Sequence, residues 1–392
     1  MEELQPFFSI VIPTRNRHEM LFYSIKTILQ QSFTNYELII CDNNSSQETQ
    51  EVASSFDSEK IKYIRSNQSI SMTENWELAV SHAAGKYIAV IADNDGFIDG
   101  SLTFLFKLLQ KRDFPEVIRW EKNEFIWPDI GTEQNNQLVL RTNPRAEVLN
   151  SNDIILNVLA GEMKFQMLPM IYNSIISISL IKKIKAETGR VFNSISPDLY
   201  TGFSFSYLSK SYLSINIPIT VGGTSAKSNG LNCMKKSNQI VDEFKALSEA
   251  SFSPIHPDVP FIKTIFSGIY DSFLRAQEDL NIDIGIIDKR KWVDKLISTV
   301  VVYDESERDR VIDKIKKSFP NDIELSTYID EKIMLDAIPI KQLEEVKVTF
   351  GFFKDILYLD GNKLNINNIY DASTYMANFY NYDLQQQLDI YD

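Results

Sequence analysis

Cysteine is almost missing from this chain: Cys41 and Cys233 are the two among 392 residues, far apart and in no metal-ligand spacing. A disulfide framework and a cysteine-held zinc are therefore excluded, and the reducing cytoplasm is the expected compartment. Positive charge is in deficit as well, with 40 Lys and Arg against 53 Asp and Glu and a formal net charge of -13. A general grip on nucleic acid needs clustered basic residues, so that class is excluded. An anionic small ligand is not, because a few local residues or a bound cation reverse the field at one site. Long apolar runs are absent too. The most apolar stretch, Met167 to Leu180, is interrupted by Pro169, Asn173 and Ser174 and falls short of a bilayer span. Met1 to Pro6 carry neither the basic start nor the apolar run of a signal peptide. The expectation is a soluble protein, peripheral at the inner face of a membrane if it serves a membrane-linked pathway. No internal repeat is found.

What remains is a globular composition, 44% hydrophobic and 24% charged, over a length that suggests two domains. The first 125 residues alternate between strand and helix patterns. Phe7 to Ile12, Tyr36 to Cys41, Ile61 to Arg65, Tyr87 to Ala92 and Val117 to Phe125 read as strands. Between them, His18 to Gln31 places Leu21, Ile25, Ile28 and Leu29 on one helix face, and Ser71-Met72-Thr73-Glu74 is a capping box opening a helix that Gly85 ends. Gln47 to Phe56 and Ser101 to Lys111 are the other two helices. Such alternation implies βαβ units and a mostly parallel sheet flanked by helices, an α/β fold.

Over 126–232 the pattern loosens: a polar loop or hairpin at 129–143, helices near 151–160, 177–186 and 198–210, and a strand over Ser214 to Val221. Beyond a boundary at 232/233 the chain reads as a mainly α-helical domain to 392, with amphipathic stretches at 238–250, 258–280, 289–300 and 304–318. The aromatic tail, Tyr370, Tyr375, Phe379, Tyr380 and Tyr382, reads as the core of a small helical unit, with a homo-oligomer contact and an acceptor platform as its functional alternatives.

Ligands of an open parallel sheet bind beyond the carboxyl ends of its strands. Three strand ends here carry polar loads: Pro13-Thr14-Arg15-Asn16-Arg17, Asp42-Asn43-Asn44-Ser45 and Asp93-Asn94-Asp95. Each alone is explained by ordinary turn chemistry. Their convergence on one edge points to a site. Two carboxylates two residues apart past a buried strand are costly to place together without a cation, and oxygen ligands of this kind suit Mg²⁺ or Mn²⁺ shared with substrate phosphates.

Phe8 to Arg17, Tyr36 to Asp42 and Gly85-Lys86-Tyr87-Ile88 leading to Asp93-Asn94-Asp95 together resemble family 2 glycosyltransferases of the GT-A fold, over about residues 6–125. The resemblance implies a Rossmann-like domain over 1–232, with a nucleotide-binding half (1–125) and an acceptor half (126–232). By the same resemblance Pro13, Thr14 and Arg17 line the nucleotide pocket, Asp42 reads the base (usually uracil), and Asn67 and Asn75 cover nucleotide and sugar. Asp93 and Asn94 meet the donor, and Asp95 holds the divalent cation, Mn²⁺ or Mg²⁺. Many relatives carry a second acid where this chain has Asn43.

An inverting transfer needs a base for the acceptor hydroxyl. The place matching the relatives' base is Asp198, one residue after the helix-starting Pro197, where helix-dipole complementation is the structural alternative. His256 stands where some GT-A enzymes supply another metal ligand, and the Ser225–Asn229 loop is a candidate lid, with Lys227 offering charge. The Arg119, Glu121, Asn123 side of the strand at 117–125 is a candidate acceptor face. The resemblance thus implies an inverting transferase. It would move a sugar from a nucleotide-diphosphate donor, UDP-linked by expectation, to a hydroxyl of a glycan, lipid-linked or protein-linked acceptor in bacterial surface polysaccharide synthesis. The alternatives are a sugar-phosphate nucleotidyltransferase, which would need a glycine-rich loop that 13–17 lacks, and a non-catalytic sugar-binding or scaffold subunit.

Overall fold

Apolar, β-branched runs that end in turn residues set the first layer. In the computed structural model, which describes residues 5–131, 134–228, 246–248, 255–260, 262, 264–285, 287–300, 305–319, 322–335 and 350–380, strand β1 (Phe8–Thr14), helix α1 (His18–Leu29), strand β2 (Tyr36–Asp42), helix α2 (Gln47–Ser54) and strand β3 (Ile61–Arg65) form two successive βαβ units. β1 pairs parallel with β2, and β2 with β3. Every residue of β1 and β2 is buried, as expected where both faces of a parallel sheet are covered. Helix α3 (Met72–Ser81) begins at Ser71, whose hydroxyl accepts the Glu74 N–H, the N-cap half of the expected capping box, while the Glu74 carboxylate pairs with Arg190. Strand β4 (Tyr87–Val90) then returns to the other side of β1, again parallel. The strand order therefore reverses at β1, which places a crevice beyond its carboxyl end.

After the short strand β5 (Gly96–Phe97) and helix α4 (Ser101–Lys111), the single strand expected over 117–125 divides into β6 (Val117–Trp120) and β7 (Asn123–Ile126). The break falls on Glu121 and Lys122, whose charges are met by Arg141 at 2.9 Å and Asp95 at 3.0 Å, and the chain passes there from one sheet to another. The polar stretch at 129–143 does hold a hairpin partner, strand β8 (Gln137–Arg141), antiparallel to β7. Strand β9 (Ala146–Asn150), helix α5 (Ser151–Leu159), strand β10 (Ser174–Ser177), helix α6 (Ile178–Thr188) and helix α7 (Pro197–Ser209) follow. The strand expected over 214–221 is likewise two, β11 (Ser211–Ile215) and β12 (Thr220–Thr224). Pro218, with no N–H to give a ladder, lies between them.

The larger sheet runs β3-β2-β1-β4-β10-β6-β11-β9, with β10 and β9 antiparallel to their neighbours. Its faces carry helices, and the α/β expectation of a mostly parallel, helix-flanked sheet is met. Helices α8 (Ile265–Leu280), α9 (Lys289–Ser298), α10 (Glu305–Lys317) and α11 (Ile323–Leu335) follow. α8 packs on α7, and one apolar core runs without a break from Ile176 and Phe203 through Phe273 and Trp292 to Ile329. Tyr270 stacks on Trp292 with ring centroids 4.2 Å apart. Among the described residues no helix is long and apolar enough to cross a membrane.

The boundary expected at 232/233, and most of the helix expected over 238–250, lie outside the described residues. Residues 350–380 add a strand hairpin to the mainly helical C-terminal part. Strands β13 (Gly351–Phe353) and β14 (Ile356–Asp360) form a hairpin, and β14 pairs with β8, so the second sheet runs β13-β14-β8-β7-β12-β5. Ile356-Leu357-Tyr358-Leu359 is a strand-forming run, and the otherwise open edge of β8 is where it finds ladder partners. Helix α12 (Ile369–Tyr380) then lies on α1, burying Ile369, Ala372 and Met376 with Met20, Phe125 and Trp127. The aromatic tail thus packs on the N-terminal domain. Tyr380 receives the Asn123 amide and donates to Arg141 O, both at 2.8 Å, Lys26 lies 4.0 Å over the Tyr370 ring, and Tyr382 is outside the described residues.

Candidate active site

The three polar strand ends meet, and side chains lock them together. Asn16 sits at φ 53°, a left-handed conformation that asparagine tolerates. There its N–H reaches Ser45 Oγ at 2.9 Å while its Oδ1 accepts the Ser46 N–H at 3.0 Å, joining the loop after β1 to the loop after β2. Thr14 Oγ1 donates to Asp93 Oδ2 at 2.8 Å, and Arg17 Nη1 pairs with Asp93 Oδ1 at 3.0 Å, joining the first loop to the turn after β4. Arg17 also donates to Lys227 O, so the described part of the 225–229 loop is tied to the same corner. Asn229 is outside the described residues.

The turn itself is built from Asp93, Asn94 and Asp95, all buried. Ser24 of α1 lies 2.8 Å from the Asp93 carbonyl and 2.5 Å from that of Asp95. Asn94, expected to meet the donor, has its amide fastening the turn to β12, donating to Gly223 O at 2.5 Å and to Ser228 Oγ at 3.2 Å, while Trp127 Nε1 donates to its carbonyl. Asp95 Oδ1 accepts the Gly223 N–H at 2.8 Å, and Asp95 Oδ2 pairs with Lys122 Nζ at 3.0 Å.

Asp42 ends β2 with no exposed surface, and both its oxygens are engaged. Ser45 N–H binds Oδ1, while Tyr63 OH at 2.6 Å and Arg65 Nη1 at 3.1 Å bind Oδ2. Arg65 and Tyr63 therefore cover this carboxylate, and burial and the bond to Asp42 push the Tyr63 hydroxyl up to about 12. Asn43, in the place of the relatives' second acid, braces Ile70 through both its amide atoms. Pro13 is buried inside β1, opposite Cys41. Asn75 is buried against Cys41, whereas Asn67 is exposed at the rim.

Asp198 starts α7 after Pro197 and is half-buried. Burial raises its pKa above the ordinary carboxylate value, against the pull of the Leu199 N–H, the Tyr172 hydroxyl and the Lys122 charge. Tyr172 hydrogen-bonds Asp198, and Lys122 Nζ lies 4.5 Å over the Tyr172 ring while pairing with Asp95. Lys122 and Tyr172 therefore connect the expected donor carboxylate to the expected base. Sequence reasoning passed over both. Lys122 sits on the opposite parity from Arg119, Glu121 and Asn123, and Tyr172 ends an apolar run that reads as core.

On the polar side at 119–123, Arg119 and Asn123 are internal and Glu121 is half-buried. Arg119, 2% exposed, is spent on Gln166 O, Ser214 Oγ and Glu121, and Asn123 holds Tyr380 and the Arg141 N–H. His256 packs on α8: its Nε2 is 2.9 Å from Glu278, its Nδ1 accepts the Asp258 N–H, and its own N–H binds Asp271. With both ring nitrogens engaged it has no lone pair for a cation in this arrangement, and it shares no partner with Asp95.

Among the described residues no three His, Cys, Asp or Glu side chains group to hold a metal ion. Both Asp93 oxygens are committed to Thr14 and Arg17. The residues fit a divalent ion in one way. Asp95 Oδ2 already holds a stand-in cation, the Lys122 ammonium. A single carboxylate completed by donor phosphates is an ordinary Mg²⁺ or Mn²⁺ site.

Residues 9–138 match the family model described as glycosyl transferase family 2. A Campylobacter jejuni protein named GalNAc(5)-diNAcBac-PP-undecaprenol beta-1,3-glucosyltransferase is 31% identical over 105 residues, 26% of this chain and 34% of its own. An Escherichia coli protein named UDP-Glc:alpha-D-GlcNAc-diphosphoundecaprenol beta-1,3-glucosyltransferase is 27% identical over 27% of this chain and 42% of its own. The chain thus spans well under half the length of these relatives. Among solved structures, Staphylococcus aureus TarS 1-349 in complex with UDP-GlcNAc is 12% identical with a TM-score of 0.47, over 84% of this chain and 91% of that one.

Proposed function

Because residues 9–138 match the family model described as glycosyl transferase family 2, we propose that the protein transfers a sugar, with inversion, from a UDP-sugar to a hydroxyl of a lipid-linked glycan at a bacterial membrane surface. The observation that carries this reading is the linked set Asp95–Lys122–Tyr172–Asp198, an anion-holding corner beside a base of raised pKa. Both named relatives are glucosyltransferases with undecaprenol-linked acceptors in their names, and the Escherichia coli one is named for UDP-Glc, which supports the donor and acceptor classes.

The nucleotide lies along the crevice beyond β1, with Arg65, held by Asp42, at the base and Arg17, held by Asp93, at the diphosphate. Both arginines are preoriented by buried carboxylates, so little ordering is needed when the donor arrives. Asp95 would hold a divalent cation, whose charge would offset that of the leaving diphosphate. Asp198 takes the proton of the acceptor hydroxyl as that oxygen attacks the anomeric carbon. Burial makes its carboxylate a stronger base than one in water, and the Tyr172 hydrogen bond fixes its direction. One base on the acceptor side suits a single displacement, hence inversion.

The test is turnover of a UDP-sugar panel by the wild type, Asp95→Ala and Asp198→Asn. Asp198→Asn should keep donor binding and lose transfer by about 10²–10⁴-fold. Asp95→Ala should lose both. Full transfer by Asp198→Asn would remove the assignment of the base, and no UDP binding by the wild type would remove the whole reading.

A further inference from the structure

We propose that Lys122 occupies the cation place until the donor arrives, so that a divalent ion enters only together with the donor diphosphate. This rests on the glycosyltransferase reading above.

The Lys122 ammonium is 3.0 Å from Asp95 Oδ2, where a coordinated ion would bind. Its position is built in two further ways. The Tyr172 ring lies under it at 4.5 Å, and Gly222 makes room, since a Cβ there would come within 3.0 Å of Lys122 Cε and 3.2 Å of Nζ. In this state each carboxylate of the turn has a cationic partner, Arg17 for Asp93 and Lys122 for Asp95. A free divalent ion would have to take Asp95 from an ammonium and then stand beside it in a half-buried corner, where like charges repel strongly. A divalent ion bound to a diphosphate brings little net charge. Lys122 then exchanges one anionic partner for another: it leaves Asp95 to the ion and swings onto a phosphate oxygen, its stem still over Tyr172. Lys122 thereby sets the order of binding and becomes a diphosphate contact in the loaded site.

The experiment is calorimetric titration of MnCl₂ into the full chain, with and without UDP. Wild type should bind Mn²⁺ in the presence of UDP and not in its absence. Lys122→Met should bind Mn²⁺ without UDP, about tenfold or more tighter than wild type, and Lys122→Met combined with Asp95→Asn should lose that binding. Lys122→Arg, which keeps the charge, should behave as wild type and covers the case of a Lys122→Met chain that does not fold. Equal Mn²⁺ affinity of the wild type with and without UDP overturns the proposal while leaving the donor reading intact, and so does a Lys122→Met chain with no gain. A wild type that binds no UDP in either condition overturns the donor reading, and this proposal with it.

Discussion

Gly223→Ala is the sharpest structural perturbation of the donor corner. A Cβ at this position would fall on the carbonyl oxygen of Asn94, with the Asn94 carbonyl carbon at 2.8 Å and Trp127 Nε1 at 2.6 Å. Two of these atoms are backbone and cannot rotate away, so β12 must shift from the turn. Overpacking of this kind costs about 1–3 kcal/mol. The shift also breaks the Gly223 N–H bond to the Asp95 carboxylate, a hydrogen bond to a charged group worth about 1.5–3 kcal/mol. Against these, Ala for Gly returns only about 0.4–1 kcal/mol by restricting the unfolded chain. The net loss is about 1.5–5.6 kcal/mol, which at ~2 °C per kcal/mol for a chain of this size lowers the melting temperature by roughly 3–11 °C. UDP binding should fall further than stability does, because Asp95 loses its orientation. The control is the neighbour: at Gly222 the Cβ meets the flexible end of Lys122, which can move, so Gly222→Ala should melt within about 2 °C of wild type. Differential scanning fluorimetry with UDP titration reads both. Wild-type melting and affinity in Gly223→Ala would show that β12 does not clamp the turn as described.

Asp198→Asn should melt no lower than wild type at pH 7. The folded-state pKa of Asp198 is raised by burial, so its stabilising protonated form is fully present below the unfolded carboxylate value and is lost as pH rises through the folded pKa. The neutral amide escapes that loss, and a clear drop in melting temperature at pH 7 would contradict it. Tyr172→Phe removes a hydrogen bond that favours the ionised carboxylate, so the acid limb of the kcat profile should move to higher pH while the UDP affinity holds; an unmoved limb would separate Tyr172 from the base. Met376→Ala empties a fully buried position under α12, and should cost about 2–5 kcal/mol in the domain that carries the site. An unchanged denaturation midpoint would mean that α12 is not part of that core.

How much of this was legible in the sequence depends on where each residue's partner lies. β1, β2 and β4 are apolar runs closed by turn residues, and the helix at 72–81 is announced by its own Ser71 cap. Those signals are local, and they survive folding. The division of the 117–125 and 214–221 strands was not legible, because whether a chain leaves one sheet for another is decided by partners elsewhere. Glu121 answers to Arg141, and Lys122 to an aspartate 27 residues earlier. The return of 350–380 to the first domain depends on the open edge of β8, which no local pattern displays. Within the site the same rule holds. Asp93, Asp95, Asp42 and Arg17 stood out as polar groups at strand ends. Asn94 looked alike, and its amide bonds to Gly223 and Ser228 were not legible, while Tyr63, Arg65 and Tyr172 resembled ordinary strand or core positions.

The placement of the turn explains why its neighbours matter so much. Asp93 follows β4 of the larger sheet and Gly96 opens β5 of the smaller one, so the Asp93–Asp95 turn is the link between the two sheets. Three elements hold that link. Helix α1 presents Ser24 to its carbonyls, β12 supplies the Gly223 amide to Asp95, and the β6–β7 break delivers Lys122. Helix α12 packs on α1, β12 and β5, reaching Phe97 O through Ser373 at 2.7 Å. Movement of β12 or α1 relative to the larger sheet therefore cannot leave the Asp95 carboxylate in place, and the last described helix of the chain acts on the donor corner through the same elements that shape it. The opposite carboxylate, Asp198, stands on α7, which packs on α8 in the helical layer. In the proposed reaction the donor and acceptor carboxylates are thus carried by two different supports, and Lys122 and Tyr172 are the side chains through which they meet.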